Sequence, residues 1–221
     1  MQPKDLTEEA TTQRLEAFSD GVFAIAITLL VLEIHVPNAA NVYGAGGARL
    51  GSGLGGALLR LWPSYFGYVF SFLMVGIFWM NHHYIFKLYK RTDQMFLLLN
   101  VLFLMCISFL PLPTAILARW VTDAQQRNVA IVVYVLGLYL PAVMWLLMWL
   151  YATHHHRLVD KRLDKGFIDY LTRTFALSNG LYLVAVLLAL WNGMAALVLC
   201  VGLSLLYLLP LKRPVYMVEE P

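Results

Sequence analysis

The sequence predicts an all-α membrane protein of six transmembrane helices with no soluble domain. Two observations carry that expectation. The 221 residues are 60% hydrophobic and only 13% charged, where a soluble domain carries about 25% charged residues. The apolar residues also gather into long runs, at about 14–36, 60–86, 94–117, 128–151, 171–191 and 194–210. Each run is near the ~20 residues that cross a bilayer as a helix. The whole chain, 1–221, reads as one six-helix transmembrane domain.

The first span is the most polar. Arg14 to Glu33 reads RLEAFSDGVFAIAITLLVLE, and its uninterrupted apolar centre runs only from Val22 to Leu32, with Thr28 inside it. Such a segment is too polar to face lipid on all sides. It has no proline between Arg14 and Pro37, so a continuous helix to about Leu32 is expected. Arg14, Glu16, Ser19 and Asp20 at one end, and Glu33 and His35 at the other, must turn toward protein or water. That pattern describes a helix at the centre of a bundle, lining a water-filled path.

The remaining elements follow in order. Pro37 stops the first helix, and Asn38 to Gly56 is a glycine-rich loop expected to stay flexible. It lacks the Lys-Ser/Thr end of a phosphate-binding loop. The second span carries Trp62, Tyr65, Trp79 and Tyr84 near its ends as interfacial aromatics. The third contains Ser108-Phe109-Leu110-Pro111-Leu112-Pro113-Thr114, whose prolines should kink or break its outer end. Pro141 is expected to interrupt the fourth, and Asn192-Gly193 to make a tight turn between the fifth and sixth. Cys106 and Cys200 both lie inside apolar runs, where they read as small packing residues.

Loop charge sets an expected orientation. With the N-terminus inside, the cytosolic side holds Lys4, Arg14, Lys87, Lys90, Arg91, Arg157, Lys161, Arg162, Lys165, Arg173, Lys212 and Arg213. The other side holds only Arg49, Arg60, Arg119 and Arg127, a strong positive-inside bias. Both termini are then cytosolic. The first residues show no signal-peptide pattern, so the N-terminus is expected to be retained. The net charge of +3 is modest, and no basic run interleaved with aromatics points to nucleic acid.

Depth in the bilayer brings polar groups together. Asp20 lies six residues inward from Arg14, ~9 Å along a helix. Trp79, Asn81, His82 and His83 sit just before cytosolic Lys87 on the second span, and Asn100 lies a similar distance into the third. Groups at matching depth in hydrocarbon should pair, because an unsatisfied one costs several kcal/mol. Adjacent residues differ by ~100° around a helix, so only one of His82 and His83 is expected to join the cluster. Three readings stay open: a network fixing helix packing, a proton or ion relay through Asp20 and a histidine, and metal or haem ligation. No HxxxH or ExxH pair supports the last. His154-His155-His156 would point three ways on a helix and reads as an interfacial boundary rather than a metal site.

On the same first helix, Ile25, Leu29 and Leu32 fall at i, i+4 and i+7 and form one apolar stripe, with Thr28 beside it. The stripe reads either as a helix-helix seam or as stacked hydrophobic rings of a symmetric pore. The Thr28 hydroxyl reads either as bonded back to the carbonyl of Ala24 or as pore-facing. One such helix cannot enclose a path by itself, which predicts a closed homo-oligomer.

Arg14 followed by Phe18-Ser19-Asp20-Gly21 resembles the FSDG signature of the endosomal/lysosomal potassium channel family of the transmembrane protein 175 type, in a single-repeat bacterial form. Trp79, Asn81, His82 and His83 resemble that family's second-helix motif, and SFLPLPT its third. The resemblance implies that Arg14, Phe18, Ser19, Asp20, Trp79, Asn81, His82, His83 and Asn100 form a structural polar network that holds the first helix. It implies a homotetramer with the first helices around the axis, Ile25, Leu29 and Leu32 as the constriction and Thr28 as a polar layer. The implied function is a potassium-selective channel in a bacterial plasma membrane, with the lipid bilayer and permeant monovalent cations as partners. No enzyme activity, metal or cofactor beyond permeant K+ is expected. No TVGYG filter and no helix with arginine at every third position is present. The runner-up is a proton-coupled transporter or proton carrier using Asp20 and the histidines, against which stands the lack of an inverted repeat.

Overall fold

The structure, a computed structural model, describes residues 6–38, 42–43, 53–206 and 212–216. Among these, α1 (Leu6–Leu29) runs into a 3-10 turn (Leu30–Glu33), and α2 (Gly53–Arg60) leads into α3 (Trp62–Phe86). Next come α4 (Gln94–Phe109), α5 (Pro111–Trp120), α6 (Arg127–Thr153) with a closing 3-10 turn (His154–His156), α7 (Lys165–Ala189) and α8 (Gly193–Leu206). Among the described residues five stretches are long and apolar enough to cross a membrane: Thr12–Glu33, Trp62–Phe86, Gln94–Trp120, Arg127–His156 and Lys165–Ala189. The shorter apolar helix Gly193–Leu205 is the sixth. The protein is an all-α, multi-pass integral membrane protein. Residues 207–210 of the expected sixth span lie outside the described residues.

Several boundaries differ from expectation, each for a local reason. The α-helix of the first span stops at Leu29, and the chain tightens into the 3-10 turn before Pro37. The end of the glycine-rich loop is helical, since α2 already begins at Gly53, which adopts φ 63°. The fifth span starts at Lys165, because the Asp164 side chain accepts from the Phe167 N–H at 2.9 Å and caps the helix there. Pro141 does not interrupt α6. A proline removes one ladder bond, and here Ile131, Tyr134, Val135, Leu138 and Ala142 are buried on both sides of it and hold the helix in place. Asn179 of α7 also donates to the Ala142 carbonyl at 3.2 Å.

The two prolines of the third span do break it. Leu110 separates α4 from α5, and Pro111 and Pro113 occupy the first turn of α5, where a missing N–H removes nothing from the ladder. A buried triad ties the break to its neighbours. Ser71 of α3 bonds to Thr114 of α5 at 2.7 Å and to Tyr134 of α6 at 3.0 Å, while Thr114 donates to the Leu110 carbonyl at 2.8 Å. The triad joins residues 43 and 63 positions apart in the chain, a pairing that no local sequence pattern marks.

Helix α6 is the hub, packing against α4, α5, α7 and α8, while among the described residues α1 packs chiefly on α3 and α4. At the charged end, Asp93 caps α4 and accepts from Phe96 N–H, Tyr151 O–H and Arg157 Nε. Burial pushes the Asp93 carboxyl up, but these bonds outweigh it and leave the pKa below the usual carboxylate value. Among the described residues no group of histidine, cysteine, aspartate and glutamate could hold a metal ion. His155 and His156 adopt left-handed φ of 51° and 52°, so the histidine run is a chain reversal at the helix end.

Close approach of α5 and α6 depends on one glycine. A Cβ at Gly137 would lie 2.8 Å from Cγ and 3.1 Å from Cβ of the rigid Pro113 ring. Gly137→Ala is therefore expected to destabilise the protein by about 1–3 kcal/mol through overpacking. Gly180→Ala, whose Cβ meets nothing within 4 Å, should be neutral or slightly stabilising. Thermal unfolding of both variants in detergent checks the contrast.

Candidate pore helix

Helix α1 has two unlike faces. Leu15, Ser19, Phe23, Ala26 and Leu30 recur at helical spacing and are buried against α3 and α4. Phe18, Ile25, Leu29 and Leu32 are exposed, Ile25 at 62% and Leu32 at 68%. Thr28 lies on the exposed side, and its hydroxyl turns back onto the carbonyls of Ala24 at 3.0 Å and Ile25 at 2.9 Å. Leu32 falls in the 3-10 turn rather than in α1. At 3.0 instead of 3.6 residues per turn, the three residues from Leu29 carry it roughly 60° further round than an α-helix would, so that it eclipses Leu29.

The buried face is held by a directional chain of hydrogen bonds. Ser19 Oγ donates to the Leu15 carbonyl at 2.8 Å and accepts from Asn100 Nδ2 at 3.0 Å. Asn100 Oδ1 can only accept, so His82 Nε2 donates to it across 3.2 Å. Ser19, Asn100 and His82 are each 0% exposed. The imidazole of His82 stacks on Phe86 at 3.9 Å and meets the edge of Phe23 at 5.4 Å. Three helices, α1, α3 and α4, thus meet through three side chains.

Two further contacts form rungs between α1 and α3, nearer solvent. Trp79 Nε1 donates to Asp20 Oδ1 at 2.9 Å, and His83 Nδ1 donates to Glu16 Oε1 at 2.8 Å. Glu16 and Asp20 are four apart, as are Trp79 and His83, so each pair shares a helix face and the two rungs run parallel. Trp79 and His83 stack at 6.0 Å.

Placement of the expected cluster therefore needs correcting. Asp20 does not bond to a histidine or to Asn100; it sits on the outer rungs, because Ser19, one residue earlier, takes the inward direction. Both histidines engage α1 or α4, but in separate contacts. Asn81 turns the opposite way from Trp79 and His83, donates to Ile77 of its own helix at 2.9 Å, and joins neither contact. Arg14 and Phe18 are exposed on the side of α1 away from α3 and α4. Glu16, in the sequence only a polar end group, is the acceptor of the second rung. Its i, i+4 spacing to Asp20, matched by Trp79 and His83, was the signal that could have found it.

The buried chain makes a clear prediction. Asn100→Leu removes the acceptor of His82 and leaves a buried donor unsatisfied, at a cost of about 1–3 kcal/mol. Asp20→Asn keeps an acceptor for the Trp79 N–H and should cost under about 1 kcal/mol. Fluorescence-detected melting of the two variants would separate them, and equal losses would contradict the division into inner chain and outer rungs.

The comparisons with known proteins converge. Residues 14–111 match the model of the family described as endosomal/lysosomal potassium channel TMEM175. The chain is 41% identical over 203 residues to a potassium channel of Chamaesiphon minutus, covering 91% of this chain and 96% of that protein. It is 42% identical over 166 residues to a potassium channel of Streptomyces collinus, covering 75% and 76%. The human endosomal/lysosomal proton channel TMEM175 is 35% identical over 157 residues, 68% of this chain but 30% of its own length. In structure, the lysosomal potassium-selective channel TMEM175 homolog from Chamaesiphon minutus aligns with TM-score 0.76 and 39% identity over 90% of this chain and 97% of that one. A potassium channel MtTMEM175 variant aligns with TM-score 0.54 at 22% identity, covers 88% of each chain, and shares the fold. With the Chamaesiphon match spanning nearly all of both sequences, this chain belongs to the TMEM175 family of ion channels.

Proposed function

We propose that the protein is a potassium-selective channel of a bacterial plasma membrane, built as a homotetramer with α1 of each subunit around the axis and both termini cytosolic. The observation that carries this reading is the asymmetry of α1. One face is locked onto α3 and α4 by buried bonds, while the opposite face leaves Ile25, Thr28 and Leu29 exposed among the described residues. A closed ring of four copies gives that face a use, and it supplies the enclosure that one helix lacks. Relatives from Chamaesiphon and Streptomyces that bear the name potassium channel support the choice of ion.

In this assembly Ile25 and Leu29 form apolar rings that oppose ion entry by dewetting, and Leu32, eclipsing Leu29 in the 3-10 turn, continues them at the outer end. The Thr28 hydroxyl proton points back to its own helix, which leaves oxygen lone pairs free to face a partly dehydrated cation. Arg14, Phe18, Asp20 and Glu16 shape the inner mouth, and the inner hydrogen-bonded chain keeps the ring geometry rigid. The permeant ion is substrate, so no cofactor is needed.

A second reading is proton conduction. The human relative bears the name proton channel, and Ser19, Asn100 and His82 form an unbroken hydrogen-bonded chain. Asp20 is not part of that chain; it accepts from Trp79 instead.

Liposome flux under imposed potassium, sodium and proton gradients separates these readings. Valinomycin-matched potassium flux without acidification supports the channel, whereas proton flux without potassium flux contradicts it. Ile25→Ala is expected to raise conductance several-fold and weaken discrimination between potassium and sodium, and Thr28→Val to lower selectivity with unchanged protein yield. Unchanged currents in both would move the path off this face of α1. For the assembly, Leu29→Cys should crosslink in detergent, and the absence of any crosslink would remove α1 from the axis.

A further inference from the structure

The charged end of α7 collects cations beside an exposed apolar surface. Arg173 lies eight residues into α7, ~12 Å along the axis from Lys165, and is exposed. Leu177, Val184 and Leu187 continue the same exposed helix face, Leu177 at 67%. An arginine at the head of an apolar, outward-facing stripe on a membrane helix stands at headgroup depth, with its stem along the acyl region.

A second cation arrives from a distant part of the chain. The segment Lys212–Tyr216 docks on the same end of the bundle. Tyr84 O–H donates to the Lys212 carbonyl, Asp164 N–H donates to the Val215 carbonyl at 2.9 Å, and Leu163 and Tyr216 form an antiparallel bridge. This docking sets Lys212 Nζ 4.3 Å from the ring centre of Tyr170. Tyr170 is three residues before Arg173 on the exposed side of α7, so the ring under Lys212 neighbours Arg173 on the helix surface. Lys165 and Arg213 are exposed as well. Asp169 is the one acid on this face of α7. Among the described residues the ion pairs are Glu16–His83, Asp93–Arg157 and Asp160–Arg162, and neither Arg173 nor Lys212 takes part in one.

We propose that α7 and the docked tail form a binding site for an anionic phospholipid. Its phosphate sits between Arg173 and Lys212, Tyr170 occupies the interface level, and an acyl chain lies along Leu177, Val184 and Leu187. Basic groups at a membrane surface attract anionic headgroups, and the adjoining apolar stripe selects a lipid over a free phosphate. A bound headgroup would also hold the tail against Tyr84, one residue beyond the His83–Glu16 rung that grips α1.

The test uses the purified full-length protein. Native mass spectrometry with titrated phosphatidylglycerol should show discrete adducts that phosphatidylcholine does not give and that glycerol phosphate does not displace. A factor of about five per basic residue near the surface predicts a five-fold loss of apparent affinity for Arg173→Gln or Lys212→Gln, and about 30-fold for the pair. Arg173→Lys should retain binding, and so should Lys161→Gln, which removes an exposed charge outside this face. Unchanged phosphatidylglycerol binding in the double variant would overturn the site. An equal loss in Lys161→Gln would reduce it to diffuse surface charge, and displacement by glycerol phosphate would make it a soluble-anion site; either outcome overturns the proposal.

Discussion

Asn100 is fully buried, and its amide must satisfy both its donor and its acceptor inside the protein, because hydrocarbon offers neither. That constraint sets the position of α1. Asn100 Nδ2 reaches Ser19 and Asn100 Oδ1 receives His82, so a shift of any one of α1, α3 or α4 leaves polar atoms unpaired at low dielectric. The aromatic rings of Phe23, Phe86 and Phe103 close around His82 and exclude the water that would compete for these bonds. The outer rungs of Asp20 with Trp79 and Glu16 with His83 lie where water competes more strongly. They add orientation more than energy.

The same arrangement explains why α1 can leave one side unpartnered. Its inward stripe is anchored by directional bonds as well as by packing, so the helix keeps its rotation without support on the far side. The exposed residues are then available to symmetry mates or to an aqueous path without threatening the fold of the subunit. A helix held only by nonspecific apolar contact in a bilayer would lack this rotational definition, since lipid tails are as apolar as leucine.

A second polar cluster does comparable service for the broken third span. Pro111 and Pro113 interrupt the helix at membrane depth, a feature tolerated only where protein satisfies the freed groups. Thr114 bonds back to the Leu110 carbonyl and joins Ser71 and Tyr134, while Gly137 lets the Pro113 ring approach α6. Hub helix α6 thereby connects the α1 side of the bundle to α7 and α8. The docked tail and the Asp93 node finish the charged end, where backbone bonds between residues 88–91 and 158–160 hold two loops together.

Composition and periodicity alone determined the membrane class, the six helices, the break at Pro111 and Pro113, and the polar depth shared by Asp20, His82, His83 and Asn100. These follow from one-dimensional facts: apolar run length against bilayer thickness, proline chemistry, and distance counted from charged ends. Rotation about each helix axis was beyond that reach. Which histidine meets Asn100, that Ser19 rather than Asp20 completes the inner chain, and that Asn81 turns away depend on angles of ~100° between neighbours, and these are set by packing against α3 and α4. The tightening of Leu30–Glu33 into a 3-10 turn, and the continuity of α6 through Pro141, were likewise decided by tertiary contacts. Local propensity at those positions is weaker than the burial of the residues around them.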